Sequence, residues 1–318
     1  MAVMASRVLQ AIGDLALRLP EIRRDPLAAI DLLTPHSGTR AFADLTYGPH
    51  GGQRLDLYLP DGVATSAPKS AVVFFHGGRW SFGRKEEYRF VAQALGARGH
   101  AVAVCDYRKY PAVRFPAFVE DGAAAIAWAL RHLPRYGIDP GLIFLMGHSA
   151  GAHIAALATM DQRYGSALGI DPDRVAGLVL MSGPFDFYPI KGEDLRDIFG
   201  PEARHPETQP LRFVRAGLPP ALFLHGRRDR TVYPVSSARM ASAIREHGGR
   251  ARAVFYDFLT HTNIVAALSD RIGFLVAPVL DDIASFLRRR IRELAVPGAL
   301  ERERPNDCGL NGTRPLRN

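Results

Sequence analysis

Residues 145–152 read LMGHSAGA and contain the pattern Gly-x-Ser-x-Gly around Ser149. An uninterrupted apolar run, 142–146, leads into the pattern, and an Ala-rich stretch, 150–160, follows it. These flanks predict a buried strand, a sharp turn at the serine and then a helix. Such a turn projects the serine hydroxyl above the end of the strand, at the positive end of the next helix. We therefore predict that Ser149 is a nucleophile.

Compact apolar runs of this kind recur along the chain and alternate with helical patterns. Buried strands that alternate with helices are typical of βαβ units and of a mostly parallel sheet. We predict an α/β fold with helices on both faces of a central sheet, in which the first two strands form an antiparallel edge. The predicted strands are 42–47, 54–59, 71–75, 101–105, 142–146, 175–181, 221–224 and 253–258, and the predicted helices are 84–98, 117–133, 150–160, 235–247 and 278–292.

Changes in composition divide the chain into three parts. Residues 1–41 have apolar residues at helical spacing and predict an N-terminal helical cap segment. Residues 42–295 hold the alternating pattern and predict the α/β catalytic domain. Within it, 184–218 are rich in Pro, Gly and charge, which predicts a small cap insertion above the sheet. Residues 296–318 are polar and rich in Pro and Gly, which predicts a disordered tail.

The composition excludes several classes of protein. The 318 residues are 47% hydrophobic and 23% charged, which are ordinary globular values and argue against a disordered chain. Two cysteines are too few for a disulfide scaffold. The net charge of +8 suggests a nucleic-acid partner, but residues 288–318 alone hold eight arginines and four acidic residues. Because no motif with interleaved basic and aromatic residues accompanies this charge, we expect no nucleic-acid binding.

No segment of the sequence predicts export or membrane insertion. Arg7, Asp14 and Arg18 interrupt the N-terminal apolar residues, so we do not expect a signal peptide. No run of about 18 uncharged apolar residues is present that would span a bilayer. We expect no integral membrane segment and a cytoplasmic location. The sequence leaves the oligomeric state open, a homodimer included.

A nucleophilic serine needs a base to take its proton, and the base needs a carboxylate to orient it. In folds with this kind of turn, the order along the chain is serine, acid, histidine. Asp229 follows the buried strand that ends at Leu224 and is the predicted acid. Asp186, which follows the strand ending near Met181, and Asp257, expected inside the last strand, remain as alternatives.

Eleven histidines compete for the position of the base. His261 follows the last predicted strand, and active-site groups gather at the carboxyl ends of the strands of open α/β sheets. We therefore predict that His261 is the base. His247 ends a helix, His205 lies in the insertion and His225 comes before the acid loop, and none of them is preferred.

The loop after the third predicted strand, HGGRW at 76–80, is a candidate oxyanion hole. Attack on a carbonyl produces an alkoxide that needs hydrogen-bond donors already in place. Gly77 and Gly78 allow the backbone to approach closely without a side-chain collision. We predict that the amides of Gly78 and Arg79 are the donors, together with the amide of Ala150 at the start of the helix, and that Gly77 supports them.

The sequence predicts neither a metal site nor an organic cofactor. His148 and His153 are close in sequence, but no cluster of carboxylates or cysteines accompanies them. Metal sites need several such ligands at suitable spacing. We therefore predict that both histidines are packing or supporting residues.

Taken together, HGGRW, LMGHSAGAHIAAL (145–157), GRRDRTV (226–232) and THTN (260–263) resemble the α/β-hydrolase fold in its carboxylesterase and hormone-sensitive-lipase-like branch. The HGGxW form and the run Asp106-Tyr107-Arg108 are also similar to arylformamidases and prenylcysteine methylesterases. The resemblance covers about residues 42–292. Arg79 departs from the family, which often has a glycine, an aromatic or a small residue there, and we expect its side chain to point to solvent.

The resemblance implies a serine carboxylesterase that hydrolyses small, short-chain carboxylic esters through a Ser-His-Asp triad and an acyl-enzyme. The expected partner is therefore a small-molecule ester. An arylformamidase-type amidase, or an acetyl or feruloyl esterase, would use the same site and stays open as an alternative. A catalytically silent binding protein is disfavoured, because all three members of the triad are present in the sequence.

Overall fold

The computed structural model describes residues 38–61, 69–270 and 277–295, and eight strands in these ranges form one sheet. Each strand coincides with a predicted apolar run, with ends shifted by a few residues. The strands are Thr39–Thr46 (β1), Arg54–Pro60 (β2), Lys69–Phe75 (β3), Ala101–Cys105 (β4), Ile138–His148 (β5), Gly177–Met181 (β6), Ala221–Gly226 (β7) and Ala251–Tyr256 (β8).

The strands are ordered β1-β2-β4-β3-β5-β6-β7-β8 across the sheet. β1 pairs antiparallel with β2, and β2 pairs antiparallel with β4, whereas every other neighbouring pair is parallel. The prediction of a mostly parallel sheet with an antiparallel edge is confirmed. Because the parallel strands point the same way, the loops that follow β3, β5, β7 and β8 all emerge at one edge.

The described part of the chain also contains eight α-helices. They are Arg89–Gly96 (α1), Ala117–His132 (α2), Ala150–Met160 (α3), Gln162–Ala167 (α4), Glu193–Phe199 (α5), Val235–Glu246 (α6), Asn263–Ala266 (α7) and Val279–Leu294 (α8). The five predicted helices are present, and α4, α5 and α7 are additional ones that are too short to produce a periodic pattern. In the described ranges, no helix has the length and apolar character needed to cross a membrane.

The sheet separates two apolar layers, because successive side chains of a strand point to opposite faces. In β3, Val73 and Phe75 pack into one layer, while Val72 and Phe74 pack into the other. All four side chains are almost completely buried. Residues of α2, α3 and α6 belong to the first layer, and residues of α1 and α8 to the second. Burial of each such side chain contributes about 1.5–3 kcal/mol, so the strand ends that carry the site rest on a rigid base.

β8 ends earlier than its apolar pattern predicts. The pattern placed Asp257 inside the strand, but β8 stops at Tyr256 and Asp257 lies in the turn that follows. The Asp257 side chain is 71% exposed and pairs with Arg227 at 2.9 Å. The prediction was wrong because a carboxylate at the end of a strand keeps its hydration by leaving the sheet.

The predicted insertion, 184–218, packs on the loop that follows β3. Ile198 and Phe199 of α5 are buried, and the Phe199 ring lies 4.7 Å from the Trp80 ring, centroid to centroid. The predicted N-terminal segment differs at its end, since residues 39–41 belong to β1. Residues 1–37 of that segment and the predicted tail, 296–318, lie outside the described residues.

Three buried histidines make the stability of this fold depend on pH. Burial, together with nearby arginines, lowers the pKa of His100 to about 4, burial and the neighbouring His261 lower that of His148 to about 3, and burial lowers that of His153 to about 4. In the unfolded chain these histidines take up protons near the ordinary histidine pKa of 6.5. The unfolded chain therefore binds more protons than the folded protein between pH 6.5 and about 4.

We therefore expect the free energy of unfolding to fall by on the order of several kcal/mol as the pH is lowered through this window. Urea unfolding followed by circular dichroism at half-unit pH steps measures the effect. A denaturation midpoint that stays constant from pH 7 to pH 4.5 would contradict it.

Candidate active site

Ser149 forms the sharp turn between β5 and α3. Its backbone angles, φ 54° and ψ −117°, lie in a region that residues other than glycine rarely adopt. The flanking glycines make this turn fit. A Cβ atom on Gly151 would overlap the carbonyl group of Phe75, and one on Gly147 would lie 2.5 Å from the carbonyl of Gly151. The serine is thus held at the carboxyl edge of the sheet by backbone packing on both sides.

Three side chains from different loops meet at this edge. His261 Nε2 lies 2.8 Å from Ser149 Oγ, and His261 Nδ1 lies 2.7 Å from Asp229 Oδ2. The Asp229 side chain is completely buried, the His261 side chain is 15% exposed, and Ser149 is half-buried. The structure therefore brings the predicted nucleophile, base and acid into one hydrogen-bonded row.

Both oxygens of the Asp229 carboxylate have polar partners. Oδ1 accepts hydrogen bonds from the amides of Thr231 and Val232, each at 2.9 Å. Burial by itself would raise the pKa of Asp229, but hydrogen bonds from His225 and His261 lower it well below its usual value. The carboxylate stays ionised and accepts the Nδ1–H of His261. That leaves Nε2 unprotonated and facing the serine hydroxyl.

The two alternative carboxylates lie elsewhere. Asp186 pairs with Arg239 at 2.8 Å, and Asp257 pairs with Arg227 at 2.9 Å. Among the described residues, neither carboxylate contacts a histidine. Of the three candidates, Asp229 is the one that contacts His261, the predicted base.

The loop after β3 contains three consecutive residues with positive φ: Gly78 at 130°, Arg79 at 50° and Trp80 at 57°. A Cβ atom on Gly78 would overlap the carbonyl group of Phe82, so this position requires glycine. Strained backbone of this kind persists where the surrounding packing enforces it, and it is common in ligand sites. Within the described ranges, no residue accepts a hydrogen bond from the amide of Gly78, Arg79 or Ala150. These three amides remain available to an oxygen of a ligand.

His76, which sequence reasoning missed, supports this loop from the sheet side. It is completely buried, and its ring stacks on that of Tyr107 with centroids 4.6 Å apart. Its Nδ1 lies 2.6 Å from the carbonyl oxygen of Gly77, and its Nε2 lies 3.0 Å from Asp106 Oδ1. Burial would raise the pKa of Asp106, but the hydrogen bond from His76 lowers it overall. In the sequence, the HGG pattern drew attention to its glycines rather than to this ring.

His148 and His153 join neighbouring loops. His148 Nε2 donates to the carbonyl oxygen of His261 at 2.8 Å, and its Nδ1 lies against Gly77, where an added Cβ atom would be 2.7 Å away. His153 Nε2 donates to the carbonyl oxygen of Thr208 in the insertion at 2.8 Å. Among the residues that the structure describes, no cluster of three metal-ligating side chains occurs. Both histidines thus make hydrogen bonds to backbone carbonyls, and the contacts of His148 connect the predicted base, His261, to the predicted oxyanion loop, 76–80.

Arg79 faces solvent, as expected, but it has a partner that the sequence did not reveal. Its guanidinium donates two hydrogen bonds to Asp194 of α5, at 2.6 and 2.9 Å. Both side chains are about half exposed, so the pair adds little to stability. The pair nevertheless connects the oxyanion loop to the insertion.

The BD-FAE family model matches residues 55–244, more than half of the chain. The chain belongs to this family. Two curated relatives of this BD-FAE member are esterases by name. A probable isoprenylcysteine alpha-carbonyl methylesterase, ICMEL1 of Arabidopsis thaliana, is 29% identical over 76% of this chain and 54% of its own length. Esterase LipC of Mycobacterium tuberculosis is 31% identical over 75% of this chain and 62% of its own length.

The BD-FAE member is also similar to solved esterase structures. The apo form of Thermogutta terrifontis esterase 2 superposes with a TM-score of 0.66 at 26% identity and covers 81% of this chain and 96% of its own. The predicted resemblance to α/β-hydrolases of the esterase type is confirmed at the level of the family and the fold. The chain spans little more than half the length of the curated relatives that it matches first.

Proposed function

We propose that this protein is a serine carboxylesterase that hydrolyses small carboxylic esters through an acyl-enzyme. The observation that carries the proposal is the row Ser149–His261–Asp229, with contacts of 2.8 and 2.7 Å, beside three amides that donate to no described residue. A nucleophile, an oriented base and preorganised oxyanion donors are the groups that acyl transfer requires.

In the first half of the reaction, His261 Nε2 takes the proton of Ser149 Oγ as that oxygen bonds to the ester carbonyl carbon. The carbonyl oxygen gains the negative charge and accepts hydrogen bonds from the amides of Gly78, Arg79 and Ala150. The protonated imidazole is stabilised by ionised Asp229. Collapse of the intermediate breaks the carbon–alkoxy bond, and the alcohol leaves with the proton from His261.

In the second half, water replaces the alcohol. His261 removes a proton from water, and the hydroxide attacks the acyl carbon of the Ser149 ester through the same oxyanion position. The carboxylic acid leaves when Ser149 Oγ takes the proton back from His261. The sequence of steps consumes one water and leaves every protein group in its starting protonation state.

Short acyl groups are the proposed substrates, and the covering elements support this choice. The insertion, 184–218, reaches the oxyanion loop through Arg79–Asp194 and through the packing of Phe199 on Trp80. A cap held this close to the donors leaves limited room for a long acyl chain. Solved structures of Thermogutta terrifontis esterase 2, to which the chain is 25–26% identical, contain bound propionate and butyrate. We also propose that the N-terminal segment that precedes β1 forms part of this cap.

A series of p-nitrophenyl esters from acetate to dodecanoate tests the proposal, with N-formylkynurenine and acetylated xylan as comparisons. We expect kcat/KM to be highest for acetate to butyrate and to fall by at least about tenfold at octanoate and beyond, because the proposed cap would exclude a longer acyl chain. A higher kcat/KM for the formamide would favour an amidase instead. Absence of turnover on every ester would contradict the proposed function.

A further inference from the structure

Asp229 Oδ2 lies close to two histidines that come from different segments of the chain. His261 Nδ1 approaches it to 2.7 Å, and His225 Nε2, at the end of β7, approaches it to 3.1 Å. Behind His225, its Nδ1 lies 2.8 Å from Ser237 Oγ of α6. Two serine–histidine pairs therefore contact the same carboxylate, in the order Ser149–His261–Asp229–His225–Ser237.

The inner pair is sealed from substrate. His225 and Ser237 are each 0% exposed, whereas His261 and Ser149 are partly open. Because no substrate reaches Ser237, the inner pair cannot act as a second nucleophile and base. Its effect must pass through Asp229.

Hydrogen-bond complementarity determines where His225 carries its proton. Nε2 faces two acceptors, Asp229 Oδ2 at 3.1 Å and the Val232 carbonyl oxygen at 2.9 Å, so it must be the protonated nitrogen. Nδ1 then accepts the hydroxyl proton of Ser237. This serine therefore fixes the tautomer of His225. The Nε2–H hydrogen-bonds to the Val232 carbonyl oxygen, and Asp229 Oδ2 lies 3.1 Å from the same nitrogen.

We propose that His225 is a positioning residue for the acid of the triad. The positive edge of its Nε2–H, 3.1 Å from Asp229 Oδ2, keeps that oxygen facing His261, and its hydrogen bond to the Val232 carbonyl ties the acid loop, 227–232, to β7. Because a carboxylate that accepts an extra hydrogen bond is a weaker base, His225 also moderates how strongly Asp229 attracts the protonated imidazole. The base can then return its proton to the leaving group. This inference rests on the proposed function, since it assigns His225 a task within the same triad.

The titratable groups around this carboxylate come from three elements: His225 of β7, His261 of the loop after β8, and His148 of β5, whose Nε2 donates to the His261 backbone. Burial, followed by the proximity of His261, lowers the pKa of His148 to about 3, so it stays neutral where esterases are assayed. Arg228 and Arg230, on either side of Asp229 in the chain, are exposed to solvent. A change at His225 therefore reports on Asp229 and His261.

Two substitutions at this position test the proposal through the pH dependence of kcat/KM on p-nitrophenyl butyrate. His225→Leu removes the N–H donor, and we expect kcat to fall about tenfold. We also expect the acid limb, which is the rise of kcat/KM on the low-pH side of the profile, to move up by about half a pH unit or more. His225→Gln places an amide N–H near the Nε2 position. We expect it to restore most of kcat and to return the acid limb to its wild-type position.

A merely structural role predicts a different outcome. If His225 only supported the loop, its loss would separate Asp229 from His261. The acid limb would then stay unchanged or move to lower pH, and His225→Gln would give no specific rescue. Either result would overturn the proposal. His205→Leu is the matched control, because His205 is also buried but bonds to the Gly200 carbonyl in the insertion, and its acid limb should not move.

A measurement on the wild-type protein covers the case in which the variants fail to fold. The nitrogen chemical shifts of His225 at pH 7 should show a protonated Nε2 and an unprotonated Nδ1, and the opposite tautomer would reject the proposal. Failure of this inference is separable from failure of the proposed function. If His225→Leu left both the activity and the low-pH limb of the profile unchanged, only the role proposed for His225 would be rejected. An active Ser149→Ala variant would instead reject the triad itself.

Discussion

Ser149→Ala should lower kcat/KM for short-chain p-nitrophenyl esters by about 10⁴- to 10⁶-fold. The methyl group cannot form the acyl-enzyme, and His261 Nε2, 2.8 Å away, loses the hydroxyl whose proton it would take. The residual rate would come from the oxyanion amides and from substrate binding. The substitution removes one atom at a position with φ 54°, so the fold should be retained.

Steady-state kinetics measure this loss, and covalent labelling identifies its cause. An organophosphate should add a single phosphoryl group to the wild-type protein at Ser149, and the variant should not be labelled. Ser166→Ala, at an exposed serine of α4, is the matched control and should keep wild-type activity and labelling. A Ser149→Ala variant with more than a hundredth of the wild-type kcat/KM would argue against the nucleophile.

Asp229→Asn should lower kcat by about 10⁴-fold with little change in the fold. The reason lies in the two backbone donors. The amides of Thr231 and Val232 both point at Oδ1, so the carbonyl oxygen of an asparagine must face them. Its NH2 group then faces His261 Nδ1 and donates to it. The imidazole is forced to carry its proton on Nε2, where it can no longer accept the serine proton.

Single-turnover kinetics with p-nitrophenyl butyrate would show this loss in the acylation step. Asp257→Asn is the matched control, because this carboxylate was an alternative acid and its side chain is 71% exposed. It should leave kcat within about twofold of wild type, as surface substitutions usually do. If Asp257→Asn abolished activity and Asp229→Asn did not, the assignment of the acid would be reversed.

Local pattern was sufficient for the secondary structure that carries the site. The apolar run at 142–146 and the small residues at 150–160 predicted β5 and α3 on either side of Ser149. Strand and helix formation depend on side chains a few positions apart, so period and composition reveal them. The same reasoning wrongly placed Asp257 inside a strand, because the position at which a strand ends depends on whether a charged side chain can stay hydrated.

The sequence named Ser149, His261 and Asp229 as partners, but local pattern could not show that they touch. Ser149 and His261 are 112 positions apart, and their contact exists because β5 and β8 end at the same edge of one sheet. Sequence order suggested Asp229 as the acid, but its advantage over Asp186 lies in the turn that aims two amides at its Oδ1.

The sequence by itself determined the α/β-hydrolase class, the strand–turn–helix around Ser149 and the glycines that this turn needs. The tertiary structure alone decided that Asp229 has a second histidine, that His76 supports the oxyanion loop and that Arg79 is tied to Asp194. The physical reason is the range of the interactions. Backbone conformation follows from neighbours in the chain, whereas a hydrogen bond between loops depends on how distant segments pack.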